Sequence, residues 1–509
     1  MATTLSQGEK LMEINNKSSQ PIDFVALQQV LDLVEQLIGK EHVTCNTSTL
    51  SLALEPQRNV SQFRSRVIYA VIRPHCVEQV QEITRLFNRF KTHVGLHIIS
   101  SGRNWGLGSA QPATDGVVVM ALGYLKAQRT INCASGWAVI EPGVTQLELS
   151  QALLGTERML NVTASSGHTS VIGNALDRGV GLQRQRTDDI AGLEVILPNG
   201  ELIRVGWWPD TIKNTAVNPQ GLGPALLPLF MQSNLGIVTA AVVKLLPRPE
   251  AQCVLRLSFP QENLHQAIAV LRRWVAQGLV SGVLKIYDAI STESYGGDPG
   301  QHLVLICVSG TERRTEAITQ VLLEEIAESQ LFAKVTRSDT AAAAANDFVL
   351  QVVEHAYAGD PSYNELMLKS AVGQDAEQVD SAGGGWLFFL PLIPFNSDAI
   401  VKAFSLIDTI YEKTGIRAGS TVNALSADLI DLVISLRFQP NQAQIKQAHQ
   451  ALEMAYQLFT EAGFYPYRLD IDHGHWKSRL EQDHSTHQLV LNIKQLLDPN
   501  SIIASGRYA

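Results

Sequence analysis

Three stretches of small residues could hold a phosphate-bearing ligand with little help from charged side chains. In the first, Ser100-Ser-Gly-Arg-Asn-Trp-Gly-Leu-Gly108, three glycines follow directly on the apolar run His97-Ile-Ile99. Glycines there let the backbone turn tightly and present successive N–H groups, an arrangement that grips a diphosphate. Arg103 could add a positive charge. The spacing is not GxGxxG, so a Rossmann dinucleotide site is not indicated. Alone, the loop reads equally well as an ordinary turn after a strand. The second stretch, Ser165 to Gly181, is small and polar over its length, poor material for a core but suited to lying along an extended cofactor. The third, Gln232-Ser-Asn-Leu-Gly-Ile-Val-Thr239, is another glycine turn feeding a strand.

Other residue types point to chemistry at the ligand itself. His168 could serve as a base near neutral pH, or simply hydrogen-bond to backbone. Tyr467-Arg468 sets a phenol hydroxyl beside a guanidinium, a clamp for a phenolate or carboxylate. The plain alternative is a surface pair whose Arg bridges two domains. Asp470, Asp472, His473 and His475 follow in a dense polar group. Their spacing matches no known metal site, so a solvated turn or a pocket rim is expected and no metal.

The elements that must position these residues emerge from periodicity. Residues 1–62 read as a polar leader and one amphipathic helix, with Phe24, Leu27, Val30, Leu31, Val34, Leu37 and Ile38 at helical spacing. Within 63–249 come a strand at Val67–Ile72, a helix over Val77–Phe90, strands at Gly116–Met120 and Trp137–Glu141, and a helix over Val144–Leu154. Pro198-Asn-Gly200 between two apolar runs predicts a hairpin. Gly236–Leu246 is a strand closed by Pro247-Arg-Pro249, where a domain boundary is placed. From 250 to 462, strands at Val254–Ser258, His302–Val308, Trp386–Leu390 and Leu432–Leu436 alternate with helices Leu264–Val275, Glu312–Glu328, Asp398–Thr414 and Asn441–Ala462. That pattern predicts an antiparallel sheet with helices over one face, an α+β unit. The Ala341–Ala345 patch reads as helix, and 463–509 as a final segment with a helix over His487–Leu497.

Composition sets outer limits. The chain has 509 residues, a formal net charge of −9 and 45% hydrophobic residues. There is no dense basic patch for nucleic acid. Its longest apolar runs, such as Trp386 to Pro394, fall well short of the ~20 residues a bilayer requires. Met1 to Gln20 lacks the apolar stretch of a secretory signal. Five dispersed cysteines without a CxxC pair read as reduced thiols in the cytoplasm.

Taken together, the segments resemble the vanillyl-alcohol oxidase and p-cresol methylhydroxylase (PCMH-type) family of flavoproteins. Ser101-Gly-Arg-Asn-Trp-Gly-Leu-Gly108 is similar to its pyrophosphate loop, and Ile172-Gly-Asn-Ala-Leu-Asp-Arg-Gly-Val-Gly181 to its second flavin-contact loop. Gly192 to Glu201, Ser233 to Thr239, Leu387-Phe-Phe389 and Asp498 to Arg507 also match, in collinear order from about residue 60. The resemblance implies an α+β fold: a PCMH-type FAD-binding domain of two α+β subdomains, built from the N-terminal half and the returning C-terminal segment, under an antiparallel-sheet cap domain. It implies FAD held by Ser101, Gly102, Arg103, Asn104, Trp105 and Gly106. Further contacts are implied from Pro142, Gly143, Ser166, Gly167, Gly173, Asn174, Gly179, Gly236, Ile237, Val238 and Arg507.

Tyr467 and Arg468 match the pair that binds the phenol oxygen in phenol-oxidising members. Departures from the pattern are informative. Leu107 stands where those members carry a Tyr. Asn161-Val-Thr-Ala-Ser-Ser166 lacks the Asp they place beside the substrate carbon. Neither Ser426–Ile434 nor the pyrophosphate loop offers a His or Tyr for a covalent flavin link, so non-covalent FAD is expected. The resulting expectation is an FAD-dependent oxidase or dehydrogenase of secondary metabolism, with Tyr467, Arg468 and His168 at its chemistry. It would act on an alcohol, amine or carboxylate-bearing metabolite rather than a simple para-substituted phenol. Oxygen or another acceptor would take the electrons, and a homodimer is implied by analogy. The alternatives are a flavin-binding protein without turnover and a flavin-dependent isomerase or cyclase.

Overall fold

The computed structural model describes residues 22–45, 59–209, 216–340, 348–381, 384–480 and 483–508. The leader over Met1–Gln20 and the alanine patch at 341–345 lie outside the described residues. The fold is α+β, built on three main sheets.

The first sheet has four strands in the order Val43–Cys45, Ile68–Ile72, Val117–Ala121, Gly95–Ile99, the last three parallel. Helices Phe24–Ile38 and Val77–Phe90 pack their apolar stripes on it through Leu27, Leu31, Val80, Ile83 and Phe87. Asp23 caps the first helix by accepting from the Ala26 N–H at 2.9 Å. The chain's far end returns here: Leu96 N–H donates to the Ile502 carbonyl and Ala504 N–H to the Leu96 carbonyl, at 2.8 and 3.0 Å.

The second sheet is antiparallel, in the order Gln128–Asn132, Trp137–Ile140, Ile237–Lys244, Ile190–Ile196, Leu202–Gly206. The Asn-Gly hairpin lies between its last two strands. Gly200 takes φ +80°, and a side chain there would also strike Arg85. The helix expected over Val144–Leu154 covers only Gln146–Ala152, because Thr145 and Glu148 form a reciprocal capping box that starts it late.

The third sheet has nine antiparallel strands, beginning at Ala251–Pro260, directly after the proline breaker. Period-2 alternation divides its faces. On Gln301–Gly310, Val304, Ile306 and Val308 pack with helices Leu264–Ala276, Glu312–Ser329, Ser397–Thr414 and Gln442–Glu461. Leu303, Leu305 and Cys307 point the other way and share a core with Ala138, Ile140 and Leu193 of the second sheet. The inner face of the large sheet therefore closes over the five-stranded unit. Five of its strands, Lys285–Tyr287, Ala333–Arg337, Pro391–Pro394, Ala418–Ala424 and Tyr465–Pro466, escaped the sequence reading.

Candidate cofactor cleft and cap-side polar row

A cavity of about 310 Å³ runs between the first two sheets. Its walls include Ser101, Gly102, Arg103 and Asn104, then Pro142, Gly173 and Asn174, then Gly236, Val238 and Arg507. Arg468 also lines it. Among the described residues, no acceptor is found for the backbone N–H groups of residues 101–104. Arg103 Nη1 and Asn174 Oδ1 are buried without a hydrogen-bond partner, although Arg103 Nη2 lies 3.7 Å from Glu377 Oε1. Buried polar groups are rarely left so, and a row of open N–H donors beside a guanidinium suits a diphosphate. Gly173 lies so close to the loop that a Cβ would stand 2.4 Å from Ser100 Oγ. The donor set and the glycine walls fit a dinucleotide.

Other expected residues support the cleft without lining it. Trp105 is buried and donates from its indole to Asp380 at 3.0 Å. Gly106 lies beneath the Phe388 ring, and its carbonyl accepts the Phe388 N–H at 3.0 Å. Gly143 is pressed against the Gly123 and Leu125 carbonyls, and Gly179 against the Asn174 side chain. Ile237 belongs to the apolar core. His168 is half-buried, outside the cavity walls, with its backbone N–H on Ser166 Oγ.

Ser166 and Gly167 are held by a residue that sequence reasoning missed. Glu365, on the helix Asn364–Val372, accepts from Ser166 Oγ at 2.6 Å and from Gly167 N–H at 2.7 Å. The adjacent Asn364 donates to the Thr163 and Ser165 carbonyls. A carboxylate absent from 161–166 in sequence thus reaches that stretch through space.

Tyr467 and Arg468 stay close to each other but serve different partners. Arg468 is held by Asp177 through Nε at 3.1 Å and Nη2 at 2.5 Å, and its Nη2 also meets Asn104 Oδ1 at 2.9 Å. Arg507 and Tyr508 complete the group, donating to Asp177 at 3.0 and 2.8 Å. The two guanidiniums and the phenol hold the Asp177 carboxyl down to about 2 against the upward push of burial. The guanidinium expected to be open for a substrate anion is committed to this hub.

Tyr467 turns to the cap. Its hydroxyl donates to Asp431 Oδ2 at 3.4 Å, and Asn423 Nδ2 donates to the same oxygen at 3.2 Å. Lys285 Nζ donates in turn to Asn423 Oδ1. Burial pushes Asp431 up to about 6, opposed by Asn423, Lys285, Arg468 and Tyr467. Burial also brings Lys285 down to about 8, with Asp431 resisting. A lone charge in each apolar run, Leu429-Ile-Asp-Leu-Val-Ile434 and Val283-Leu-Lys-Ile-Tyr287, was the available signal for both residues.

The polar group after Arg468 is divided: Asp470 and His473 are buried, Asp472 is half-buried and His475 is exposed. Asp470 is fully buried, accepting from Tyr456 Oη at 2.9 Å and pairing with His473 Nδ1 at 2.8 Å. The His473 ring stacks on Tyr456 with centroids 4.2 Å apart, and its Nε2 meets Glu453. The helix Gln442–Glu461 supplies both partners and so draws the turn inward.

Comparison with known proteins accords with this geometry. Residues 68–206 match the family described as FAD binding domain. The chain is 26% identical to the 1′-carboxy-chondrochloren decarboxylase of Chondromyces crocatus, over 95% of this chain and 97% of that protein. It is 23% identical to the 4-cresol dehydrogenase [hydroxylating] flavoprotein subunit of Pseudomonas putida, over 92% and 93%. The crystal structure of p-cresol methylhydroxylase with substrate bound superposes with a TM-score of 0.84 at 21% identity, covering 96% of this chain and 97% of that one. A dinucleotide cleft, an α+β architecture and similarity along nearly the whole chain converge: the protein carries an FAD binding domain over residues 68–206 and has the fold of p-cresol methylhydroxylase.

Proposed function

We propose that this FAD-dependent oxidoreductase removes hydride from an alcohol, amine or carboxylate-bearing metabolite held between the cleft and the inner face of the large sheet. The observation that carries the reading is the juxtaposition of two sites: a wall of open N–H donors at residues 101–104, and the polar face of Tyr467 and Asp431 in the cap. The flavin, when bound, supplies the hydride acceptor. Ser101 to Asn104 and Arg103 hold the diphosphate, and Gly173, Asn174, Gly236 and Val238 line its path. Asp177 fixes Arg468 and Arg507 along one wall, while the sheet above keeps water out.

A simple para-substituted phenol fits poorly. Leu107 is fully buried and offers no hydroxyl, and Arg468 is already neutralised by Asp177. The flavin is non-covalent in this reading, since Ser426–Ile434 presents no His or Tyr. Free thiols at all five cysteines suit a reducing, cytoplasmic setting. Among the described residues no helix is long and apolar enough to cross a membrane. The electrons pass to oxygen or another acceptor, and the active unit is a homodimer.

The decisive experiment is the visible spectrum of the purified protein before and after acid precipitation. Flavin bands released wholly into the supernatant are expected, followed by anaerobic bleaching with one member of a panel of alcohols, amines and carboxylates. Colour kept in the pellet would reverse the non-covalent assignment. Absence of flavin, with none taken up on titration, would overturn the reading. The decarboxylase relative, matched over 95% of this chain, favours a second reading in which a carboxylate-bearing substrate loses CO2. Release of CO2 in step with bleaching distinguishes it.

A further inference from the structure

The inner face of the large sheet carries a polar row that the cofactor cleft does not use. Lys285 is the cross-strand partner of Asn423, and Asn423 of Asp431. The three side chains therefore stand abreast on adjacent strands, close enough to interact directly. Their sequence neighbours Leu284, Ile286, Val422, Ala424, Ile430 and Leu432 all belong to the helix-covered core. By alternation, the row itself faces the FAD-binding side. The hydrogen bonds run one way: Lys285 to Asn423, Asn423 to Asp431 Oδ2, with Tyr467 Oη donating to that same oxygen.

The other oxygen, Asp431 Oδ1, is buried with no hydrogen-bond partner, in a residue only 1% exposed. Native structures rarely leave a buried carboxylate oxygen without a donor, so the open position marks where a donor belongs. The two protein donors that reach this carboxylate, Asn423 and Tyr467, both serve the opposite oxygen.

We propose that Asp431 Oδ1 receives the substrate's hydroxyl or amine hydrogen and takes that proton during oxidation, a role that rests on the oxidoreductase reading above. The substrate O–H or N–H bond breaks and a new O–H bond forms on Oδ1. The electron pair stays on the substrate heteroatom, from which it becomes the second bond to carbon as the hydride leaves for the flavin. Asp431 is the catalytic residue of this step. Lys285 and Asn423 are positioning residues, the lysine holding a countercharge one side chain away and the amide fixing Oδ2. The charged and titratable groups facing Asp431 are Lys285, Arg468 and Tyr467. The two cations oppose burial and leave the carboxylate mostly ionised at neutral pH, with an acidity close to that pH, as a general base requires.

The test uses the flavin-loaded enzyme and two matched probe pairs, benzyl alcohol against benzyl methyl ether and phenol against anisole. Anaerobic binding is read from the flavin band. The wild type should favour the hydroxyl member of at least one pair by roughly ten- to a hundredfold. That preference should weaken as pH falls below about 6. In Asp431→Asn the pH dependence should vanish, because an amide cannot take the proton, and Asp431→Glu should restore part of it. An infrared difference titration reads the same carboxyl without turnover: a protonated-carboxyl band should appear near pH 6 in the wild type and be missing from Asp431→Asn. Lys285→Met, which removes the countercharge together with its hydrogen bond to Asn423, should move that midpoint upward and remains informative if Asp431→Asn fails to fold. Equal binding of hydroxyl and methyl-ether probes in both pairs overturns the proposal. So does an unchanged pH profile in Asp431→Asn, or an unmoved midpoint in Lys285→Met. Flavin-loaded protein that bleaches with a substrate yet shows these negative results would sink the role of Asp431 alone. Protein without flavin would sink the oxidoreductase reading instead.

Discussion

Two buried carboxylates, Asp177 at the cleft wall and Asp431 in the cap, meet opposite fates. Asp177 accepts from Arg468, Arg507 and Tyr508, and is held down to about 2. Asp431 accepts from an amide and a phenol on one oxygen, nothing on the other, and is pushed up to about 6. Burial pushes both upward. What differs is whether a full positive charge touches the carboxylate: two guanidiniums do at Asp177, whereas the Lys285 ammonium stands one side chain away from Asp431. Contact decides because attraction falls with distance while the desolvation cost stays with the group. The first arrangement makes a tether, and the second leaves a carboxyl free to change its protonation.

Breaking the tether should have the largest effect. Asp177→Asn leaves two buried guanidiniums without their countercharge, at a cost of about 3–5 kcal/mol, read as a lowered Tm and loss of bound flavin. A variant as stable as the wild type would mean that the hub is ornamental. Arg103→Ala removes a cation from the diphosphate wall and should weaken flavin binding by roughly ten- to a hundredfold, measured by titration of the apoprotein.

Acid sharpens the contrast, because the two carboxyls act on stability with opposite sign. Asp177 has its folded acidity depressed, so its contribution of roughly 2 kcal/mol is present above its unfolded value of 3.8 and is lost as pH falls from there towards about 2. Asp431 is raised, so the stability it supports is fully present below 3.8 and is lost as pH rises through about 6. Denaturant unfolding of Asp431→Asn between pH 4 and 7 should therefore give a flatter stability profile than the wild type. The smallest effect belongs to Glu365→Gln, which keeps the shape but weakens two charge-assisted bonds to Ser166 and Gly167. About 1 kcal/mol of stability should go, with the melting transition otherwise unchanged.

The same contrast explains what could be read from the chain and what could not. Glycines near residue 102, the Asn-Gly hairpin and the helix Val77–Phe90 announce themselves because their causes are local: backbone freedom, turn chemistry and apolar spacing. The proline breaker before Ala251 is equally local, and the large sheet begins immediately after it. The Asp431 row is partly non-local: Asn423 and Asp431 face each other across one hairpin, but Lys285 joins them from 138 positions away along the chain. Glu365 reaches Ser166 across 199 positions, and no spacing rule could have joined them. Arg468 was legible as a clamp, but its partner was hidden inside a glycine loop read for its backbone. The strand Lys285–Tyr287 is too short for any periodicity to reveal.

The bonding of Leu96 to Ile502 and Ala504 sets an order of events during synthesis. The edge of the first sheet waits for residues that leave the ribosome about 400 positions later. Translation at roughly 5–20 residues per second imposes a delay of tens of seconds. Throughout it, the strand Gly95–Ile99 keeps an open edge able to pair with another chain. A nascent chain halted before Ile502 can form its helix-backed cap but cannot complete the cleft. Truncation of even the last eight residues should leave a protein that aggregates before it binds flavin.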